Sequence, residues 1–477
     1  MQQAWHIFKK DVRYLQREIV LLLALALALY WLGPSGDTAG AFGLLMAAAA
    51  AYTIAKLIHA EAIPGDKQFW LTRPYRWPSL LLAKLLFILA FVNLPVLLAQ
   101  AAILLTNHFP IASIVPGLIW TQILIWICVA LPLAVVAALT NGLAPFAGCI
   151  LVIAFLGSAE FWYEGSLGMF DHPLFATPQS LEWLRDGILF LAFALLAPII
   201  LYLQYKCRRT RLSRTLAAGV MLLCALAYLM TPWPALFPIQ SRLSERTGDI
   251  EVTRDEQKKL EFARVGRKLV FEVPALISRL SPDVDAQIEG YAASLEAPDG
   301  TSWKLSPHDL ILTSDAPGLT LSNLRRGRFS PDLPQSFLDH PEQPLTLRLS
   351  FYFTLFGDTR DRTFTLHRKP ANVMDGIQCF DGYLNQLVCR SAFRWPRAIV
   401  SQVSGTGTTS LTRLISYSPF PAGLDIGPIV TKGTQYYARE PLPEDRPVTI
   451  EIKEPVAYVR RDVVVKDLRF VAATPPL

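Results

Sequence analysis

The sequence predicts a two-part molecule: a membrane all-α helical bundle of about seven transmembrane helices, followed by an extracytoplasmic all-β domain, sandwich-like in its short strands. Three observations predict it. Of 477 residues, 52% are apolar and 18% charged, yet this average hides a break between about Met230 and Gln240. Before the break, apolar runs reach the length a bilayer requires. Beyond it, apolar residues recur at every second position, with turn residues between the runs. Residues 1–18 are read as an interfacial amphipathic helix, 19–231 as a transmembrane domain, 232–268 as a linker with a short helix, and 269–477 as one or two β-sandwiches.

The amphipathic start rests on Trp5, Phe8, Val12 and Leu15, which share one helical face, while Lys9, Lys10 and Arg13 fall largely elsewhere. The apolar segments then run at about 19–33, 41–60, 79–105, 112–140, 143–159, 187–205 and 215–231. Thr140-Asn141-Gly142 followed by Pro145 is a turn signal, so the fourth and fifth spans are read as a tight hairpin. Positive charge supports this count. With the N-terminus in the cytoplasm, the basic groups Lys9–Arg17, Lys67–Arg76 and Lys206–Arg214 all face inward, and Arg185 is the only Lys or Arg in the outer loops. Fusing the fourth and fifth spans would put Lys206–Arg214 outside. The small residues of Gly33 to Ala41 resemble a signal-peptide cleavage region, but further spans follow at once, so the first is read as a retained helix.

The net charge of +6 is carried beside these spans, which the bilayer explains without nucleic acid. Lys56, His59 and Lys84 fall near cytoplasmic span ends, where long side chains can reach water. Asn93, Gln100 and Gln122 are uncharged and are read as interhelical hydrogen-bonding groups. The spans lack the carboxylates that a proton- or sodium-coupled carrier needs at membrane depth.

Between the second and third spans, the loop runs from acidic through aromatic to basic. Phe69, Trp70 and Leu71 form an apolar cluster that either lies in the lipid interface or docks on a partner. Glu61, Gly65, Asp66, Trp70, Leu71, Arg73, Pro74 and Lys84 together resemble the coupling loop of the permeases of type-2 ABC exporters. Phe8-Lys9-Lys10-Asp11-Val12-Arg13 resembles that family's elbow helix, and aromatic residues from Ala159 to Asp186 its re-entrant outer helices. The resemblance covers about residues 1–205. It implies a separate ABC ATPase subunit carrying ATP and Mg, a second permease subunit (identical or related), and a bacterial inner membrane location. Phe69, Trp70 and Leu71 would anchor the ATPase, with Asp66 and Arg73 setting its orientation. No Gly-x-x-x-x-Gly-Lys-Ser/Thr motif occurs, so this chain is not expected to be the ATP-hydrolysing enzyme. The family core ends in the cytoplasm after six spans. The seventh span and external half depart from it and point to work at or beyond the outer leaflet. The rival expectation is a non-transporting anchor that displays its β-domain as a receptor or assembly factor.

In the external half, Thr231 to Pro238 reads as a stiff linker, and Thr253 with Glu256 as a capping box opening a short helix. Leu269, Phe271 and Val273 alternate, as do Leu347 to Leu355 and Val448 to Ile452. Gly357-Asp358 suggests that 345–367 is a hairpin, and Asp299-Gly300 marks another. Cys379 and Cys389 are the only two of six cysteines in this half and can pair outside the cytoplasm. Gly405-Thr406-Gly407 lacks a following Lys; His308, His340 and His367 lack metal-ligand spacing; no nucleophile motif occurs. No catalytic residue and no metal site are therefore expected.

Overall fold

The computed structural model describes residues 2–32, 37–60, 76–166, 179–230, 233–244, 250–254, 261–265, 268–278, 281, 284–305, 310–314, 324–329, 343–365, 367, 370–374, 376–381, 386–392, 398–403, 410–414, 431–437 and 447–468. Helices come first: α1 Gln2–Tyr14, α2 Gln16–Leu32, α3 Asp37–His59, α4 Trp77–Ile88, α5 Leu94–Thr106, α6 Ile111–Leu124, α7 Leu131–Leu139, α8 Leu143–Ser166, α9 Gln179–Tyr202, α10 Thr210–Met230 and α11 Trp233–Ser241. The strands follow: β1 Glu251–Arg254, β2 Glu261–Val265, β3 Lys268–Ser278, β4 Asp285–Glu296, β5 Ser302–Leu305, β6 Leu310–Ser314, β7 Leu324–Phe329, β8 Leu345–Thr365, β9 Ala371–Met374, β10 Ile377–Asp381, β11 Gln386–Ala392, β12 Ala398–Val403, β13 Ser410–Leu414, β14 Thr431–Tyr437 and β15 Pro447–Leu468.

Among the described residues, three helical rods are long and apolar enough to cross a bilayer: Trp77–Thr106, Ile111–Leu139 and Gly187–Cys207. Their length and composition mark the helical half as that of a membrane protein. Gly43–His59 and Leu143–Phe155 are shorter apolar helices. The first two rods each contain a π-helical turn, Leu89–Asn93 and Ile125–Ala130. Each turn ends two residues before a proline, Pro95 or Pro132. A proline donates no N–H and crowds the carbonyl four residues back, so widening the turn relieves both faults without breaking the rod.

The β-strands form three antiparallel sheets. Their orders are β1-β3-β7-β6 with β2 also on β3, β14-β11-β10-β9, and β13-β12-β15-β8-β4-β5. The third is organised by β8 and β15, which run antiparallel along nearly their full lengths. Leu347, Leu349, Phe351, Phe353 and Leu355 are buried together with Val459, Val463 and Val465, so the alternation read in the sequence is a true core face.

Several local expectations are corrected. Residues 345–365 are one continuous strand, not a hairpin. Gly357 does not turn the chain; it lies where β15 is bulged, and a Cβ there would come within 3.2 Å of Val456 Cγ1. The absent side chain lets two bent strands approach. Thr253 lies in β1 opposite Leu276, so it does not cap a helix. The segment read as a stiff linker is helical from Trp233, because Leu236 and Phe237 bury themselves against Tyr352 and Tyr458. Asp299-Gly300 does turn the chain between β4 and β5, with Gly300 at φ +85° and Thr301 N–H donating to Asp299 Oδ1 at 2.9 Å.

Candidate functional site

One end of the helical bundle collects the basic residues. α1 is helical as expected, but its buried line is Ala4, Ile7, Asp11 and then Leu15, leaving Trp5 52% exposed. The predicted face is rotated because Asp11 turns inward. Lys84 on α4 donates to Asp11 Oδ2 at 2.8 Å, and both side chains are 2% exposed. This corrects the expectation that Lys84 reaches water: its ammonium is paired with a buried carboxylate instead. Phe8 packs on Phe87 and Phe91, a further contact between α1 and the first rod. Arg76 N–H, just before α4, donates to Gln3 Oε1 at 3.3 Å, a second tie between α1 and this helix start.

Around the same end, Lys56 pairs with Glu18 across α3 and α2. His59 Nε2 lies 3.1 Å from Thr140 Oγ1, and Arg214 donates through Nε and Nη2 to the Leu139 carbonyl at 3.0 and 2.8 Å. That carbonyl ends α7 and has no intrahelical donor, so a guanidinium fork suits it. Trp77 meets Tyr202 edge-on, and Lys206 lies over both rings. Glu61, Gly65, Asp66, Phe69, Trp70, Leu71, Arg73 and Pro74 lie outside the described residues. Of the predicted coupling group the structure describes Lys84, together with the two helix ends, His59 and Trp77, that frame the loop.

Deeper in the bundle, Asn93 Nδ2 donates to Gln122 Oε1 at 3.3 Å, and Gln122 Nε2 donates to Gln100 Oε1 at 3.1 Å. The three amides thus bond between rods, as read from the sequence. Asn93 belongs to the first π turn and Gln122 lies just before the second.

At the opposite end, α5 stops in a Schellman motif. Phe109 N–H donates to the Leu104 carbonyl at 3.1 Å and His108 N–H to the Leu105 carbonyl at 3.0 Å, with His108 at φ +58°. This leaves the Asn107 and His108 carbonyls pointing outward. Two side chains of the β half take them: Gln378 Nε2 donates to Asn107 O at 2.7 Å, and Asn372 Nδ2 to His108 O at 3.2 Å. Gln378 also donates to Asn372 Oδ1 at 2.9 Å and accepts from Arg390 Nε at 3.0 Å. The Arg390 guanidinium lies 5.7 Å from the ring centres of both Phe109 and Phe380, where burial lowers its pKa. Cys379 and Cys389 form the expected disulfide, directly paired across β10 and β11.

Among the described residues, no group of His, Cys, Asp and Glu is arranged to hold a metal. Sequence reasoning placed Asp11 in the elbow-like segment but missed its inward pairing with Lys84, and it missed Gln378, Asn372 and Arg390. Only Asp11 left a signal, as the one acidic residue on the otherwise apolar line Ile7-Asp11-Leu15. No protein-family model matches the chain, and no curated protein is similar to it.

Proposed function

We propose that this chain is a permease subunit of an ATP-driven ABC exporter of the type-2 kind, crossing a bacterial inner membrane seven times. Its N-terminus and basic end face the cytoplasm, and residues beyond about 232 face outward as β-sandwich layers. It pairs with a second permease subunit, identical or related, and couples a separate ATPase, which carries ATP and Mg, to movement of a substrate across or out of the membrane.

The observation that carries this reading is the Asp11–Lys84 pair. It holds an amphipathic N-terminal helix against the start of the rod that follows the aromatic loop 61–75. An elbow helix locked to the helix leaving a coupling loop is the arrangement through which a push on that loop would reach the spans. Arg214, Lys206 and Lys56 at the same end agree with a cytoplasmic face. A second reading, an anchor that displays its β half, has its own support in the contacts of Gln378 and Asn372, which fix that half to the bundle.

The two readings separate on Trp70. Purification of the tagged chain from native membranes should recover an ATP-hydrolysing chain bearing a phosphate-binding loop. Trp70→Ala should leave expression and insertion near the parent level while reducing that recovery at least about tenfold, the loss expected for an aromatic anchor. Recovery of no such chain, or equal recovery by Trp70→Ala, would favour the anchor.

A further inference from the structure

The contact between the β half and the outer end of α5 is built unlike an incidental touch. Asn372, Gln378 and Arg390 stand side by side across β9, β10 and β11, since Gln378 is the register partner of both others. They share one face of the four-stranded sheet, and Phe380 continues it. Gln378 is 1% exposed and uses both amide atoms, one donating and one accepting. A buried amide with every bond made to groups of fixed geometry specifies one docked arrangement. Apolar packing supports it: Ala392 of β11 is buried with Phe109, Ile114 and Leu118. Gly376, at φ +78°, lies so close that a Cβ would come within 3.2 Å of Ser113 Cβ on α6.

The disulfide fits the same purpose. Cys379 follows Gln378 and Cys389 precedes Arg390, so the bridge fixes the register of the two docking residues from the reverse face of the hairpin. Both cysteines are 0% exposed, which shields the sulfurs from attack by thiolates. The bridge is therefore a standing brace and not a redox trigger.

We infer that the stapled strands β9–β11 are a two-way coupling strut, which caps α5 from outside and ties the conformation of the α5–α6 corner to that of the four-stranded sheet. The Asn107 and His108 carbonyls, at and just past the end of α5, receive their donors from the β half, so seating the strut satisfies these two backbone groups. Conversely, Arg390 loses the Phe109 face if the corner changes. Coupling of this kind is reciprocal by linkage: the free energy by which the seated strut stabilises the corner equals that by which the ordered corner stabilises the strut. The strut stands on these contacts alone and does not depend on the ATPase reading.

Hydrogen exchange on the full-length chain in lipid nanodiscs tests it from both sides. Gln378→Ala should speed exchange of the amides in 107–114 about tenfold, as expected for loss of a buried hydrogen bond. Mass analysis should find its Cys379–Cys389 bridge intact. Phe109→Ala, made in the membrane half, should speed exchange in 377–392. Should Gln378→Ala not yield folded protein, Asn372→Ala removes the bond to His108 O and the one accepted from Gln378, leaves the Gln378 bond to Asn107 O, and should give a smaller change in 107–114. Acceleration on the far side in both directions supports the strut. A far-side segment that keeps parental exchange in either variant overturns it.

Discussion

At one end of the bundle, α1 is fastened to α4 by Asp11 and Lys84, two full charges each 2% exposed; at the other, β9–β11 are fastened to α5 by neutral amides on backbone carbonyls. The difference follows from what each place must hold. α1 and α4 meet mainly through side chains, and a buried charge pair is sensitive to geometry. It also carries a large desolvation cost, so it tolerates no half-measures. The corner after α5 has backbone carbonyls to offer, Asn107 and His108, and neutral amides can satisfy them without burying a charge. A disulfide then supplies rigidity beside these amides, and the one charge at the contact, Arg390, is spread over the Phe109 and Phe380 rings.

The sharpest way to break the comparison is to remove one charge. Lys84→Met leaves the Asp11 carboxylate buried without its cation and should destabilise the chain by about 3–5 kcal/mol. Thermal unfolding in detergent and abundance in membranes would read this. The double variant Asp11→Leu with Lys84→Met should recover most of the loss, because an apolar pair of similar volume requires no desolvation. If the double variant were as unstable as the single, the cost would lie in packing and not in stranded charge.

The fastening of β9–β11 to α5 should fail more gently. Replacing Cys379 and Cys389 together by Ala should cost about 2–3 kcal/mol by releasing a short closed loop in the unfolded chain. Denaturant unfolding of the full-length protein would measure it. Before that, thiol labelling of the unreduced, denatured chain should find four reactive cysteines of the six; six would mean that the bridge does not form.

These two fastenings also mark what the sequence could disclose. The disulfide was legible, because two cysteines stood alone in the β half, which charge bias predicted to lie outside the cytoplasm. The Asp299-Gly300 turn was legible because its chemistry is local: a side-chain acceptor and a residue free at positive φ. Gly357-Asp358 looked alike but sits opposite a bulge in β15, roughly a hundred residues on, and only the pairing partner decides between turn and close approach. The amphipathic periodicity of α1 announced a helix, while its orientation depended on Lys84, far along the chain. Gln378 was illegible for the same reason in extreme form, since its partner is Asn107, 271 positions away. An isolated Gln in a strand carries no mark of a carbonyl that it will meet across the molecule.

An exposed ion pair sharpens the comparison from the other direction. Arg460 Nε donates to Asp462 Oδ1 at 2.9 Å, much the geometry of Lys84 with Asp11, but these side chains are 53% and 56% exposed. Burial pushes the Asp462 carboxyl up. Hydrogen bonds from Ser350 and Arg460, with the charge of Arg460, more than offset this and leave its pKa below the ordinary 3.8. A carboxyl depressed on folding adds stability that is present above its unfolded pKa and is lost as pH falls through the folded one. Asp462→Asn should therefore destabilise the chain at neutral pH and become neutral only well below pH 3.8, where the parent carboxyl is itself protonated. Solvent screening limits the effect to less than about 1 kcal/mol, and added salt should shrink it further. Unfolding midpoints of parent and variant across acidic pH would test this. A loss comparable to that of Lys84→Met would show that exposure does not govern the worth of these pairs, and the contrast between buried and surface charge in this protein would fall.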